Sequence, residues 1–185
     1  MAQSRITEIE GDLFDAPDGA ALIHACNCEG SWGGGIAKAF KAKYPAAYEI
    51  YKNHCKHYKS NPEYKEVATP QVGGSSSRTI KLPEGTALLI PPQEKDVRKR
   101  SKRHWVICLF TSKRTGKNVS DPDTILENTR LALADMKRQI DELGIELWSC
   151  RFNSGLFKVE WQLSRKVLED FDLQVTVVRP KEESE

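Results

Sequence analysis

Residues 20–40, AALIHACNCEGSWGGGIAKAF, constrain this chain more than any other stretch. The apolar run ALIHAC reads as a buried strand. Asn27, Trp32 and three consecutive glycines, Gly33, Gly34 and Gly35, follow. Beyond them Ile36, Phe40 and Tyr44 recur every four positions, as on one face of a helix. A strand therefore feeds a glycine loop, and the loop opens a helix. Such a layout makes an anion site: glycines let the backbone approach a ligand, and the free N–H groups and dipole of the first helical turn favour negative charge.

The nucleoside-triphosphate loop needs Lys-Ser or Lys-Thr directly after its glycines, and Ile36-Ala37 stand there instead. GxGxxG is absent as well, which removes the usual dinucleotide signature. A glycine run by itself also fits a plain tight turn. Two further segments matter here. Gly11-Asp12-Leu13-Phe14 follows an N-terminal strand, and Asn153-Ser154-Gly155-Leu156-Phe157 follows a late one.

In that order, with His24-Ala25-Cys26-Asn27 ahead of Gly33-Gly34-Gly35-Ile36-Ala37, the segments resemble the macrodomain family of ADP-ribose-binding modules. The resemblance implies a three-layer α/β/α fold with a mixed central sheet. It implies that Asp12, with Leu13 beside it, receives the adenine amino group. Gly33, Gly34, Gly35, Ile36 and Ala37, together with Asn153, Ser154, Gly155, Leu156 and Phe157, would hold the diphosphate and a ribose. Asn27 and His24 would face the distal ribose.

His24 stands where most macrodomains carry Asn. In this the chain is similar to the fungal ADP-ribose 1″-phosphate phosphatase branch, related to the terminal ADP-ribose protein glycohydrolases. The resemblance implies phosphatase chemistry with His24, Asn27 and Ser112 as catalytic residues, and Ser112 or Thr111 stabilising phosphoryl charge. The glycohydrolases use a Lys and an Asp. Alignment puts Ser112 at the Lys position, Lys113 one place late, and Phe157 at the Asp position. A one-residue slip would bring Lys113 in. Three other functions remain open: an ADP-ribosyl hydrolase acting on protein or nucleic acid, a reader that binds without catalysis, and a nucleic-acid adaptor.

Several residues also have plain structural readings. His24 at the end of an apolar strand fits a core histidine. Asn27 fits a turn cap, Phe157 a core residue, and Trp32 either a lid or an anchor for its loop. The spacing of Cys26, Cys28, His54, Cys55 and His57 suits no common zinc module. No metal and no cofactor are expected. Five cysteines, an odd number, suggest free thiols in a reducing compartment.

At 185 residues and a net charge of +2, the chain suits one domain over 1–180 with a charged tail at 181–185. No membrane partner is expected, since no apolar run is long enough to span a bilayer and the N-terminus has no apolar signal core. A monomer in the cytoplasm or nucleus is expected.

Strands are predicted at 6–10, 20–25, 86–90, 105–110, 146–149 and 174–178. Helices are predicted at 36–44, 46–58, 122–143 and 159–170. This alternation implies a sheet with helices on both faces and loops meeting at the strand C-termini. Residues 61–81, rich in Gly and Ser, read as a mobile connection. Residues 95–104, KDVRKRSKRH, read as a solvated hairpin or loop tip, or as a basic nucleic-acid segment.

Overall fold

Two runs, ALIHACN and WVICLFTS, are apolar at nearly every position and so need cover on both faces of a sheet. The computed structural model describes residues 5–69, 76–100 and 102–181. In it these runs form strands β2 (Ala21–Asn27) and β6 (Trp105–Ser112), paired in parallel inside a six-stranded sheet. The other four strands are β1 (Arg5–Glu10), β5 (Ala87–Ile90), β7 (Leu147–Ser149) and β8 (Gln174–Arg179). The order is β1-β8-β7-β2-β6-β5. Only the edge strand β5 runs against its neighbour, so the sheet is mixed.

Side chains alternate across a strand, and here each side of the sheet has its own helical layer. On one side lie α1 (Gly35–Lys43) and α2 (Pro45–Ser60). There His24 stacks on Phe40 at 4.0 Å, and Phe110 stacks on Tyr51 at 6.0 Å. On the other side lie α4 (Pro122–Ile140) and α5 (Trp161–Glu169), packed on each other with α4 over β5 and β6. Asp121 caps α4 by accepting from Thr124 N at 3.0 Å, with Pro122 in the first turn. The helix stops at Ile140, short of the predicted 143. Leu143 has left its buried face and is 46% exposed, and Gly144 turns the chain at φ +60°.

Two expectations are corrected. The stretch 61–81 holds a hairpin, β3 (Tyr64–Thr69) against β4 (Ser76–Lys81); residues 70–75, including Gly73, Gly74 and Ser75, lie outside the described residues. Its period was hard to read because only Val67 and Ile80 of these strands are buried. Polar cross-strand bonds do the rest: Ser77 and Thr79 both donate to the Glu66 carboxylate, at 2.8 and 2.7 Å. The basic stretch is likewise no loop tip. It forms α3 (Glu94–Arg100), and Ser101 and the tail 182–185 lie outside the described residues.

The cations of this stretch close backbone carbonyls. Lys99 Nζ donates to Ala42 O at 3.0 Å, and Lys102 Nζ to Asp15 O at 3.2 Å. Asp96 turns inward and accepts from Ala46 N and Ala47 N at 2.9 and 3.0 Å. That bond matters because the N-cap of α2, Tyr44, offers no side-chain cap of its own. His104 is buried between Tyr44 Oη at 2.7 Å and Ala16 O at 2.9 Å. This staple sits where β5 ends and β6 begins, since Ile90 pairs with Val106. It is the end of the sheet opposite the parallel strands' C-termini.

Asp96→Ala should therefore cost about 1–3 kcal/mol, because two N–H groups of α2 lose their acceptor. Urea unfolding would measure this, and a loss below about 0.5 kcal/mol would mean that solvent caps α2 as well.

Candidate functional site

At the C-terminal edge of the sheet the loops after β6, β2 and β7 stand side by side and enclose a cleft of about 520 Å³. The loop after β2 is shaped by Asn27. Its Nδ2 donates to Ser31 O at 2.7 Å, and its Oδ1 accepts from Glu29 N, Tyr51 Oη and Ser31 N at 2.9, 3.0 and 3.3 Å. Trp32 anchors the loop: it is 1% exposed and stacks on Tyr51 at 4.8 Å. Gly33 to Ala37 then line the cleft, with Gly34 as an N-cap that supplies no side-chain acceptor. The first-turn N–H groups of α1 are thus left without a side-chain cap. Gly35 sits at φ +57°, where a side chain would be strained.

The second loop hangs from Asn153, which is buried and left-handed at φ +69°. Its Nδ2 donates to Thr129 Oγ1 of α4 and Ser164 Oγ of α5 at 2.9 and 3.0 Å. Its Oδ1 accepts from Thr111 Oγ1 at 2.8 Å. Gly155, Leu156, Phe157 and Lys158 complete the wall. Lys158 also holds a positive φ, +59°, which is uncommon for a residue with a long side chain. Leu156 reaches across to the glycine loop: a Cβ on Gly34 would lie 2.8 Å from its Cδ1.

Several expected residues lie elsewhere. His24 is 0% exposed, pressed between Phe40 and the edge of Trp32, and does not line the cleft, so the structure does not bring its ring to the expected ribose position. Thr111 and Ser112 are both buried and outside the lining. Thr111 is spent on Asn153, while Ser112 Oγ donates to Arg114 O at 2.6 Å and accepts from Ser120 N at 3.1 Å. A β-bulge decides this. Cys26 pairs with Phe110 but Asn27 pairs with Ser112, so one residue of β6 is skipped. Ser154 turns inward too, with Oγ on Arg151 O at 2.5 Å. Leu13 is a core residue, and Asp12 is exposed with Oδ1 accepting from Phe14 N at 2.9 Å. Lys113 does not line the cleft. Its Nζ is 3.6 Å from Glu84 Oε2, a buried carboxylate also held by Arg78 and Asn128.

Thiol chemistry finds no support. Cys26 lines the cleft, but burial pushes its thiol well above the usual range. Burial does the same to Cys28 and raises Cys55 to about 12. Among the described residues, His24, Cys26 and Cys108 bring three soft ligand atoms within 4.8 Å. Cys26 Sγ is nearly equidistant from the two ring nitrogens of His24, at 3.5 and 3.7 Å. An in-plane sulfur at those distances would overlap the carbon between them, so the sulfur stands over the ring face. The nitrogen lone pairs lie in the ring plane and therefore do not converge with it on a metal position.

The sequence reading missed Thr115, Gly116 and Lys117 on the β6 loop, and Arg151 and Lys158 beside the second motif. Their place after parallel strands was the available signal. Lys117, Arg151 and Lys158 are the charged residues that line the cleft, and all three are cations. Arg151 Nε is 3.5 Å from Glu8 Oε1, whereas Lys117 and Lys158 form no ion pair among the described residues. The cleft can therefore offer backbone N–H groups and positive charge to an anion.

The Macro domain family model matches residues 23–168. Among curated proteins, the chain is 64% identical over 195 residues to an ADP-ribose 1″-phosphate phosphatase of Aspergillus oryzae, covering 99% of this chain and 97% of that one. It is 60% identical over 191 residues to a protein of the same name from Neosartorya fischeri, covering 96% of each. Among solved structures, the macrodomain of Mycobacterium tuberculosis DarG superposes with a TM-score of 0.61 at 22% identity, covering 94% of this chain and 97% of that one. The chain belongs to the Macro domain family.

The burial of His24 has a measurable consequence. His24→Ala should lose about 2–4 kcal/mol, because it opens a cavity beneath Trp32. His24→Phe, which keeps an aromatic ring on Phe40, should lose less than about 1.5 kcal/mol. Equal losses in urea unfolding would show that the core needs a polar bond from the imidazole.

Proposed function

We propose that this protein binds ADP-ribose and hydrolyses the phosphate ester of ADP-ribose 1″-phosphate. The observation that carries the reading is 60–64% identity, across nearly the whole length of both chains, to proteins named for that activity. The cleft agrees with it chemically. A diphosphate and a terminal phosphate are anions, and the charged side chains lining the cleft are cations.

In this reading the diphosphate lies between the glycine loop and the Gly155–Phe157 loop, on the first-turn N–H groups of α1. Phe157 packs against a sugar, and Asp12 accepts from the adenine amino group. Water adds across the phosphate ester and releases ADP-ribose and inorganic phosphate. Catalysis is positioning and charge stabilisation: fixed N–H groups and lysines hold phosphoryl charge as it develops. Asn27 acts through the shape of its loop, because its amide is committed to Ser31, Glu29 and Tyr51. Sugar-adduct chemistry through Lys113 is disfavoured, since its ammonium pairs with Glu84.

ADP-ribose should bind with micromolar affinity, about −8 kcal/mol, and AMP much more weakly. Gly34→Val should abolish binding. Its φ of −155° suits any residue, so the effect would be purely steric. Adding Leu156→Ala relieves the contact with Leu156 and separates two causes. If binding returns, the clash between loops was responsible; if it does not, the valine itself blocks the diphosphate. Unchanged affinity in folded Gly34→Val would remove the site assignment.

Phosphate release and deglycosylation should be assayed side by side with chelator present. Phosphate release from ADP-ribose 1″-phosphate is expected, with little cleavage of ADP-ribosyl-glutamate. His24→Phe should stay within about threefold of the parent, against the hundredfold or more that loss of a proton-transfer residue would cost. Efficient deglycosylation that vanishes in Lys113→Ala would overturn the reading in favour of a glycohydrolase.

A further inference from the structure

The strand order gives the cleft a direction. Asp12 follows β1, two strands beyond β7, whereas the Thr115–Lys117 loop follows β6, on the far side of β2. A ligand whose adenine end lies at Asp12 and whose diphosphate lies between the β7 and β2 loops must point its other end at the β6 loop. That polarity rests on the reading in the preceding section.

Most polar side chains at the cleft are already used. Asn27 and Asn153 have their amides bonded to the protein, and Ser112 and Thr111 are buried and bonded behind it. Arg151 is paired with Glu8. The β6 loop is different. Thr115 stands at the N-cap of a short 3-10 turn but makes no side-chain capping bond. Gly116 is left-handed at φ +67°, and a Cβ there would meet nothing within 4 Å, so the backbone between them is open. Lys117 is exposed, lines the cleft, and forms no ion pair among the described residues. A hydroxyl, an open backbone turn and an unpaired ammonium thus stand at the end that the diphosphate does not occupy.

We propose that Thr115, Gly116 and Lys117 form the subsite for the terminal phosphate monoester, with Lys117 as the residue that distinguishes ADP-ribose 1″-phosphate from ADP-ribose. The ligand class is a phosphate monoester dianion on a sugar. It carries about two more negative charges than the unphosphorylated product, and an unpaired lysine at a cleft mouth favours it by direct charge-assisted hydrogen bonding. Release of inorganic phosphate removes the link between that anion and the rest of the ligand, so the product loses the contribution of Lys117.

The test compares ADP-ribose 1″-phosphate and ADP-ribose on the parent protein and three variants. Lys117→Ala should raise KM for ADP-ribose 1″-phosphate about tenfold, the size of one charge-assisted contact, and weaken inhibition by inorganic phosphate. ADP-ribose affinity by calorimetry should hold within about twofold. Lys117→Arg should restore most of the loss, and Lys158→Ala, a charge change on the diphosphate side, should weaken both ligands together. Equal losses for both ligands in Lys117→Ala, or no change in either, overturn the subsite. Absence of phosphate release in the parent protein would count against the proposed activity. The subsite would then be judged by affinity: the parent must bind the phosphorylated ligand more tightly, and Lys117→Ala must erase that difference.

Discussion

The side-chain amide of Asn27 holds the mouth of the cleft in place. It sits at the end of the central strand β2, 5% exposed, and directs three bonds into the loop and one to Tyr51. Tyr51 also donates to Asn27 O at 2.7 Å, and burial pushes its phenol far above the usual range, so it stays a donor. With the loop fixed at its root, Trp32 can lie flat on Tyr51, and the glycines that follow meet the first turn of α1 at a set angle. A residue that could only accept, or only donate, would leave part of this buried set unpaired.

The second loop is held by the same economy through a longer path. Glu84 accepts from Asn128, Asn128 donates to Thr111 O, Thr111 donates to Asn153, and Asn153 donates to α4 and α5. This chain of buried bonds runs from the connection after β4 to the cleft wall. Each link pairs a buried donor with a buried acceptor, and Glu84 Oε2, which accepts no hydrogen bond, has the Lys113 ammonium 3.6 Å away. The consequence for chemistry is a division of labour. Buried polar side chains shape the loops. What the cleft leaves open to a ligand are backbone N–H groups and the exposed lysines.

Much of the architecture was legible in sequence because long apolar runs and helical periods report burial directly. β2, β6, the start of α4 at Pro122 and the glycine loop before α1 follow from local rules that tertiary packing reinforces. The hairpin β3–β4 was not legible, because its strands are mostly polar on both faces and are held by Ser, Thr and Glu cross-strand bonds. Helix α3 was hidden for a related reason: in a run of cations, Asp96 looked like one more surface charge, yet it caps α2 from 50 residues away in sequence.

The site divides in the same way. The sequence by itself determined that a strand, three glycines and a helix would follow one another and that a second loop would leave the same edge of the sheet, because residue type and element order suffice for both; in the structure the two loops line one cleft. Tertiary structure alone decided which side chains reach the cleft. His24 lies on the sheet face that α1 covers, so its ring went to Phe40 rather than to the cleft. The register shift between Cys26 and Asn27 skips Thr111 of β6 and sets Ser112 opposite Asn27, while Thr115 and Lys117, farther along, line the cleft. A one-residue change of register turns a side chain to the other face, and no local pattern encodes it, because it depends on how two strands distant in sequence settle against each other.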